Sequence, residues 1–115
     1  MSACDESQLA DAEARLGVAL PSSLRSLYLT DDGRFRADGE WWVVWPLSRL
    51  VDDNLCAWHD GSLDESLVAF GDDGAGDPFC MRVRDDGRVA RWSIIDSAVV
   101  AEMSFDMFES DWLSN

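Results

Sequence analysis

Residues 67–92 decide the fold and read Leu-Val-Ala-Phe-Gly-Asp-Asp-Gly-Ala-Gly-Asp-Pro-Phe-Cys-Met-Arg-Val-Arg-Asp-Asp-Gly-Arg-Val-Ala-Arg-Trp. Leu67 to Phe70 are apolar and favour a short buried strand, whereas the glycine and aspartate cluster Gly71 to Asp77 predicts a loop. Phe79 to Val83 and Arg88 to Trp92 then predict the two strands of a hairpin. The stretch as a whole therefore indicates a buried strand followed by an antiparallel hairpin.

The turn of this hairpin is predicted at Asp86-Gly87, because that dipeptide is typical of two-residue type I′ turns. Such a turn places Val83 opposite Ala90 and Met81 opposite Trp92, so that one side of the hairpin is apolar throughout. The other side would carry three arginines, Arg82, Arg84 and Arg91. Arg82 would then face Arg91, an unfavourable pair unless carboxylates or a partner compensate the charge.

A helical hairpin is predicted ahead of this region. Asp5 and Gln8 match a capping box, and Gly17 follows as a stop signal. Pro21 suits the opening turn of a second helix, which should end at Asp31-Asp32-Gly33. The apolar positions of the two helices are Leu9, Ala12 and Leu16 in the first, and Leu24, Leu27 and Tyr28 in the second.

The segment Trp41 to Trp45 is bulky and apolar and favours a strand, which Pro46 should end. Strand side chains alternate, so Trp41, Trp42 and Trp45 cannot all face one way. Core packing is the expected role of each, although an exposed tryptophan ringed by aspartates would suit a partner.

Two further helices are predicted around a last strand. Ser48 is expected to cap a helix that runs to Asp60-Gly61, with Leu50, Val51, Leu55 and Trp58 as its apolar positions. Ala98 to Met103 favours a strand, and Ser104 can cap a final helix that carries Phe105, Phe108 and Trp112. Trp92 and Trp112 are expected in the core.

The composition indicates one domain, residues 1–115, that binds protein. The chain has 23 Asp plus Glu against 9 Lys plus Arg, a formal net charge of -14 and a sequence pI near 4.1. This charge repels phosphate backbones and anionic lipid headgroups, which argues against nucleic acid and membranes as partners. A basic protein would instead be attracted over about one Debye length, roughly 8 Å at physiological salt.

The expected location is the cytoplasm. Met1 to Glu6 carry acidic residues where a secretory signal would carry positive ones, and no apolar run reaches the roughly 20 residues that span a bilayer. The three cysteines, Cys4, Cys56 and Cys80, are odd in number and widely spaced, which is typical of reduced thiols. We expect a soluble monomer or weak dimer without a cofactor.

Three segments together resemble a known family. These are Glu-Ala-Arg-Leu-Gly-Val-Ala-Leu-Pro at 13–21, Trp-Pro-Leu at 45–47 and Phe-Gly-Asp-Asp-Gly-Ala-Gly-Asp-Pro-Phe-Cys at 70–80, with Trp92 downstream. The chain is similar in them to the SUKH superfamily, which includes the fungal cell-wall-assembly regulators of the SMI/KNR type. The resemblance extends from the first helix to the segment Phe108 to Trp112, and the run at 70–77 is its most specific part.

The resemblance implies an α+β fold in which a mainly antiparallel sheet packs against helices. It also implies a bacterial immunity protein that binds a toxin domain, commonly a nuclease, and it carries over no catalytic residues. Other members are regulatory interaction modules, so a regulatory adaptor that binds a host protein remains the alternative.

The loop 71–77 allows other readings. Phosphate binding would need a lysine, and calcium binding in an EF-hand would need a glutamate where counting from Asp73 gives Arg84. The favoured reading is structural: Gly71, Gly74 and Gly76 permit positive φ, while Asp72 or Asp77 accepts hydrogen bonds from loop amides. An outward-facing Asp73 can bind a partner at the same time.

Metal and catalytic sites are not favoured by the sequence. The possible zinc ligands Cys4, Cys56, Cys80 and His59 include no Cys-x-x-Cys pair, and His59 is the only histidine available as a base. We therefore predict no metal site and no enzyme. The favoured hypothesis is occlusion of a basic toxin domain, with six candidate contacts: Asp31, Asp32, Trp41, Trp42, Asp72 and Asp73.

Overall fold

The computed structural model describes residues 3–36, 39–83 and 85–113. Its elements in chain order are α1 (Glu6–Leu16), α2 (Ser22–Thr30), β1 (Arg34–Arg36), β2 (Trp41–Val44), α3 (Leu47–Asp60), β3 (Leu67–Asp72), β4 (Pro78–Arg82), β5 (Asp85–Ser93), β6 (Ala98–Ser104), α4 (Phe105–Phe108) and a π-helical segment (Glu109–Leu113). All the described strands pair in antiparallel sheets, and helices pack with them in one core, which confirms the predicted α+β class.

The first helix begins as its local sequence predicts. The Asp5 carboxylate accepts a hydrogen bond from the Gln8 amide at 2.8 Å, and the Gln8 side chain accepts one from the Asp5 amide at 2.9 Å. Gly17 ends α1 in the left-handed conformation with φ of 79°. These contacts satisfy main-chain groups that a helix end leaves without partners, and they confirm the predicted capping box.

The start of α3 differs from the prediction. Pro46, not Ser48, occupies the position before the first helical residue, and it supplies no side-chain cap. The Leu47 amide instead donates to Oδ1 of Asp32 at 2.7 Å. The predicted Ser48 cap is therefore wrong, because an aspartate from the end of α2 reaches the first amide of α3.

The strands form two antiparallel sheets. β1 pairs with β2, and the larger sheet has the order β3-β4-β5-β6. The sequence did not predict β1, a strand of three residues whose Phe35 lies opposite Trp42. The end of β2 approaches β3, since the Trp45 amide donates to the Phe70 carbonyl at 2.8 Å.

The predicted register of the β4–β5 hairpin is wrong. Asp86-Gly87 lies inside β5, and Arg82 pairs with Asp85, so the chain turns earlier than predicted. Cys80 pairs with Ala90, and a bulge separates this pair from that of Arg82. Val83 is therefore not opposite Ala90, nor is Met81 opposite Trp92; the bulge and the earlier turn override the local Asp-Gly signal.

The arginines of this hairpin do not face one another. Arg91 pairs with Phe79 in the sheet, and its guanidinium lies 3.8 Å from a carboxylate oxygen of Asp73. Arg82 contacts Glu102 on β6 at 2.9 Å. These two cations thus have carboxylate partners within the protein, whereas Arg84 lies outside the described residues.

Both faces of β3 are buried, which explains the nearly continuous apolar sequence of this strand. Val68 and Phe70 belong to a main core cluster with α1, α2 and α3, while Leu67 and Ala69 belong to a second cluster around Trp45. Side-chain alternation along the strand directs neighbouring residues to opposite clusters. The loop that follows β3 is thereby anchored on two packed faces.

The three tryptophans at 41, 42 and 45 do not all face one way, as predicted, although Trp45 lies beyond the end of β2 and does not share the side of Trp41. Trp41 packs against the main cluster, whereas Trp42 and Trp45 belong to the second. Trp92 is buried as predicted, but Trp112 is only partly buried. Trp112 lies in the π-helical segment and packs edge to face on Phe79, with ring centroids 4.8 Å apart.

Candidate protein-binding surface

The segment 71–77 comprises the last two residues of β3 and the loop to β4, so the loop begins two residues later than predicted. Two aspartates of this segment hold it together. Oδ1 of Asp73 accepts hydrogen bonds from the amides of Ala75 at 2.9 Å and Asp77 at 3.2 Å. Oδ1 of Asp72 accepts from the Gly74 amide at 2.8 Å. These are the short-range contacts by which aspartate stabilises turns.

The glycines of the loop have two different roles. Gly74 and Gly76 have φ of 84° and 107°, the positive values predicted for them. Gly71 does not have positive φ; a Cβ atom there would lie 1.7 Å from the Val43 carbonyl oxygen. The prediction for Gly71 is therefore corrected: glycine is needed because β2 passes directly against it.

Asp72 also joins the loop to the core, and a pair of tryptophans surrounds it. Its Oδ2 accepts a hydrogen bond from Nε1 of Trp45 at 3.1 Å, and its carbonyl accepts one from Nε1 of Trp41 at 3.0 Å. The side chains of Asp72 and Asp73 are only 17% and 11% exposed. Most of their surface therefore serves the loop, and little is left for a partner.

The other predicted contact residues lie in different surroundings. Asp32 caps α3, as described above, and Asp31 lies 3.8 Å from the guanidinium of Arg34. Trp42 packs edge to face on Phe35, with ring centroids 5.1 Å apart. The structure thus brings Trp41, Asp72 and Asp73 together at the loop, while the contacts of Asp31 and Asp32 are with Arg34 and Leu47.

The sequence analysis did not identify a groove of about 350 Å³ between α3 and the 71–77 loop. Its apolar walls include Trp45, Leu63, Pro78 and Ile94. We call this feature the α3 groove. The loop side of the groove is joined to the end of β5, because the Asp77 carboxylate accepts a hydrogen bond from the Ile94 amide at 3.3 Å.

The α3 groove carries charge at its edge. Arg49 lies over the ring of Trp45 at 4.6 Å from its centroid, with Nε 3.1 Å from Asp53 and Nη2 4.0 Å from Asp72. A third carboxylate, Asp60, also lines the groove. The Ser62 hydroxyl and amide donate hydrogen bonds to Asp60, which lowers the pKa of this carboxyl and keeps it ionised.

The spacing of residues along the α3 sequence indicates part of the lining of the groove. Arg49, Asp53, Cys56 and Asp60 all line the groove, and they follow one another at intervals of four, three and four residues. That spacing places them on one face of α3. The opposite wall comes from the loop and from Ile94, which only the tertiary structure brings there.

The possible zinc ligands are not assembled into a site. Cys4 and Cys80 are buried, whereas Cys56 is exposed. Burial raises the pKa of the Cys80 thiol well above its usual range, which disfavours the thiolate that would bind metal. Within residues 3–36, 39–83 and 85–113, no group of three or more His, Cys, Asp or Glu side chains is arranged to hold a metal ion.

The chain matches the model of a known protein family over most of its length. The model of the SMI1 / KNR4 family (SUKH-1) matches residues 3–111, from the start of α1 to the π-helical segment. This chain belongs to the SUKH-1 family. The match confirms the resemblance seen in the segments 13–21, 45–47 and 70–80. No protein of curated function matches the SUKH-1 chain significantly.

Family membership gives the surface its context. SUKH-1 domains generally act as immunity or regulatory proteins, and domains of this family bind toxin partners. In the described part of this SUKH-1 domain, no helix is both long enough and apolar enough to cross a membrane. The features that suit a protein partner are the α3 groove and the acidic surface around it.

Proposed function

We propose that this SUKH-1 domain is an immunity protein that binds a cognate toxin domain and neutralises it by covering the toxin's active surface. Family membership over residues 3–111 is the observation that carries the proposal. The domain acts by binding, without a catalytic step of its own. We place it in the bacterial cytoplasm as a monomer or weak dimer.

The charge of the domain supports a basic toxin as the target, and a nuclease is the class that we favour. A net charge of -14 attracts a cationic nucleic-acid-binding surface and competes with the nucleic acid for it. Such complementarity raises the association rate, while desolvated apolar contacts slow dissociation. Inhibition is then steric and electrostatic occlusion.

Co-expression tests the proposal directly. The assay needs a toxin domain encoded next to this gene, which is expressed in a bacterial host alone and together with the SUKH-1 domain. We expect the toxin to stop growth alone and growth to recover in the presence of the domain. Equal killing in both cultures would refute the immunity function.

Salt dependence tests the electrostatic part. For the purified pair, we expect Kd to increase by about tenfold or more as NaCl rises from about 50 mM to about 500 mM, because screening shortens the Debye length. A Kd that does not change would show that the acidic surface does not drive binding.

The alternative is a regulatory adaptor that binds a host protein, and the regulatory members of the family are the observation in its favour. In that case the neighbouring toxin is not neutralised, and the domain captures a specific protein from host lysate. The co-expression assay separates the two functions, because only an immunity protein restores growth.

A further inference from the structure

The α3 groove combines an apolar floor with a carboxylate edge. Trp45 and Leu63 are buried, at 6% and 5% exposure, and their outward surfaces form part of the groove. The carboxylates of Asp53 and Asp60 stand on the α3 side, and Asp72 stands on the loop side. An apolar surface with negative charge on both sides of the groove suits a side chain with an apolar stem and a cationic end.

The protein itself shows which cation fits. The Cζ atom of Arg49 lies 4.6 Å from the centroid of the Trp45 ring, and the guanidinium reaches Asp53 and Asp72. Guanidinium groups stack on aromatic rings and pair with carboxylates better than ammonium groups do. The Arg49 side chain is 43% exposed, so an incoming group can replace it at the ring.

An exposed aliphatic pair lies beside the groove. Ile94 lines the groove and is 52% exposed, and the next residue, Ile95, is 93% exposed at the β5–β6 turn. The turn is fixed by Ser97, whose φ is 53°, and by the Ser97 amide, which donates to the Ser93 carbonyl at 2.8 Å. The turn therefore offers exposed apolar surface next to the carboxylates of the groove, as protein-binding sites commonly do.

We propose that the α3 groove is the docking site for a basic segment of the toxin. An arginine of that segment takes the place of Arg49 over Trp45 and pairs with Asp53, whose side chain is 46% exposed, while an apolar neighbour packs on Ile94 and Ile95. Asp60 adds negative potential at the end of the groove. This inference rests on the proposed function, since it names the surface that performs it.

The first experiment uses N-acetyl-arginine amide as the probe and the indole N–H signal of Trp45 in two-dimensional NMR as the reporter. We expect the titration to shift this signal and the Ile94 amide signal most strongly. Asp53→Asn with Asp60→Asn should weaken the probe's affinity by about fivefold or more, because two charges at the groove are lost.

The matched control is Asp11→Asn with Asp106→Asn, which removes the same charge from exposed positions that do not line the groove. We expect this control to change the affinity by less than about twofold. Equal weakening by the two double variants, or shifts spread evenly over the acidic surface, would overturn the assignment of the groove.

Replacement of Arg49 should strengthen binding of the probe, which is the opposite of the effect expected for the aspartate variants. Arg49→Ala exposes the Trp45 ring and frees Asp53, so we expect the probe to bind severalfold more tightly. Arg15→Ala is the control, because it removes one exposed cation that pairs with Asp52 at 3.0 Å, away from the groove. If the two variants bind the probe equally, the incoming guanidinium does not use the Arg49 position.

A further experiment measures the affinity of the toxin domain for a variant of the isoleucine pair. Ile95→Ser should weaken toxin binding by about tenfold, whereas Val100→Ser, a change at another exposed aliphatic residue, should have little effect. Bound toxin should also slow alkylation of Cys56, an exposed thiol that lines the groove.

These outcomes separate the two proposals. If the wild-type domain neutralises the toxin but the Asp53, Asp60 and Ile95 variants bind it as tightly, the immunity function stands and the groove assignment is wrong. If no variant and no wild-type domain binds the toxin, the proposed function fails, and the probe titration still decides whether the groove accepts a guanidinium group.

Discussion

Asn54 is a buried polar side chain that joins α3 to β3. Its Nδ2 donates to the carbonyls of Leu50 and Ala69, both at 2.7 Å, and its Oδ1 accepts from the Ala69 amide at 2.8 Å. Asn54→Ala removes the side-chain partner from both main-chain groups of Ala69. Because each unsatisfied buried group costs about 1–3 kcal/mol, we expect the free energy of unfolding to fall by roughly 2–5 kcal/mol in urea denaturation. Leu55→Ala, at the next and 37% exposed position, should cost less than about 1 kcal/mol; similar losses in the two variants would contradict this role for Asn54.

The Cys4 thiol makes the free energy of unfolding depend on pH in the alkaline range. Burial, together with a hydrogen bond to Asp32 and the charges of Asp32 and Asp5, raises the pKa of the Cys4 thiol from 9.0 to about 12. Between these values the folded protein keeps a proton that the unfolded chain releases, so the free energy of unfolding decreases as pH rises above 9.0. Cys4→Ala should make that decrease less steep in urea denaturation at several pH values. Cys56→Ala, at an exposed thiol, should leave the slope unchanged; equal slopes in wild type and Cys4→Ala would contradict the prediction.

At the scale of elements, β2 and β3 meet at Gly71. A Cβ atom there would lie 1.7 Å from the Val43 carbonyl oxygen and 2.7 Å from its carbonyl carbon. Gly71→Ala therefore forces the two strands apart, and we expect a loss of about 3 kcal/mol or more in the free energy of unfolding. Gly87→Ala in β5 is the control, because a Cβ atom there meets nothing within 4 Å and the residue does not have positive φ. Its unfolding curve should match that of the wild type within about 1 kcal/mol, and a folded, equally stable Gly71→Ala protein would refute the close approach.

The elements also show what the sequence can predict. The start of α1 was predicted correctly because the capping box is a contact between residues three apart. The β4–β5 turn was predicted incorrectly because Asp86-Gly87 is a local signal, whereas the register depends on packing both faces of the sheet and on a bulge next to Cys80. The hydrophobic pattern fixes the register of a strand when one of its faces is apolar and the other polar. Where both faces are buried, the pattern does not distinguish one register from another.

The candidate site also has some features that can be recognised in the sequence and others that cannot. The face of α3 that lines the groove can be recognised from the spacing of Arg49, Asp53 and Asp60. The hydrogen bond that Trp45 donates to Asp72 cannot be recognised in this way, since the two residues are distant in sequence. The favoured structural reading, that Asp72 or Asp77 accepts hydrogen bonds from loop amides, is met for Asp72, and Asp73, suggested only as a partner contact, also stabilises the loop.

For the molecule as a whole, a net charge of -14 on 12.8 kDa means that folding brings like charges together. Salt screens this repulsion, which is greater in the compact state than in the unfolded chain. Salt also weakens ion pairs such as Arg15–Asp52, but exposed pairs contribute only about 0–1 kcal/mol each. Net repulsion is therefore the larger effect, and we expect Tm at pH 7 to rise by about 5 °C between low salt and about 0.5 M NaCl in scanning calorimetry.

The same repulsion predicts the behaviour of a variant with less charge. Asp11→Asn with Asp106→Asn lowers the net charge from -14 to -12 without altering the α3 groove. We expect this variant to have a higher Tm than the wild type at low salt and a smaller rise on addition of NaCl, so that the two proteins converge at high salt. A Tm that falls with NaCl in both proteins would mean that local ion pairs outweigh the net charge. Convergence would instead show that the acidic surface is kept at a cost to stability, as expected of a surface whose purpose is to attract a cationic partner.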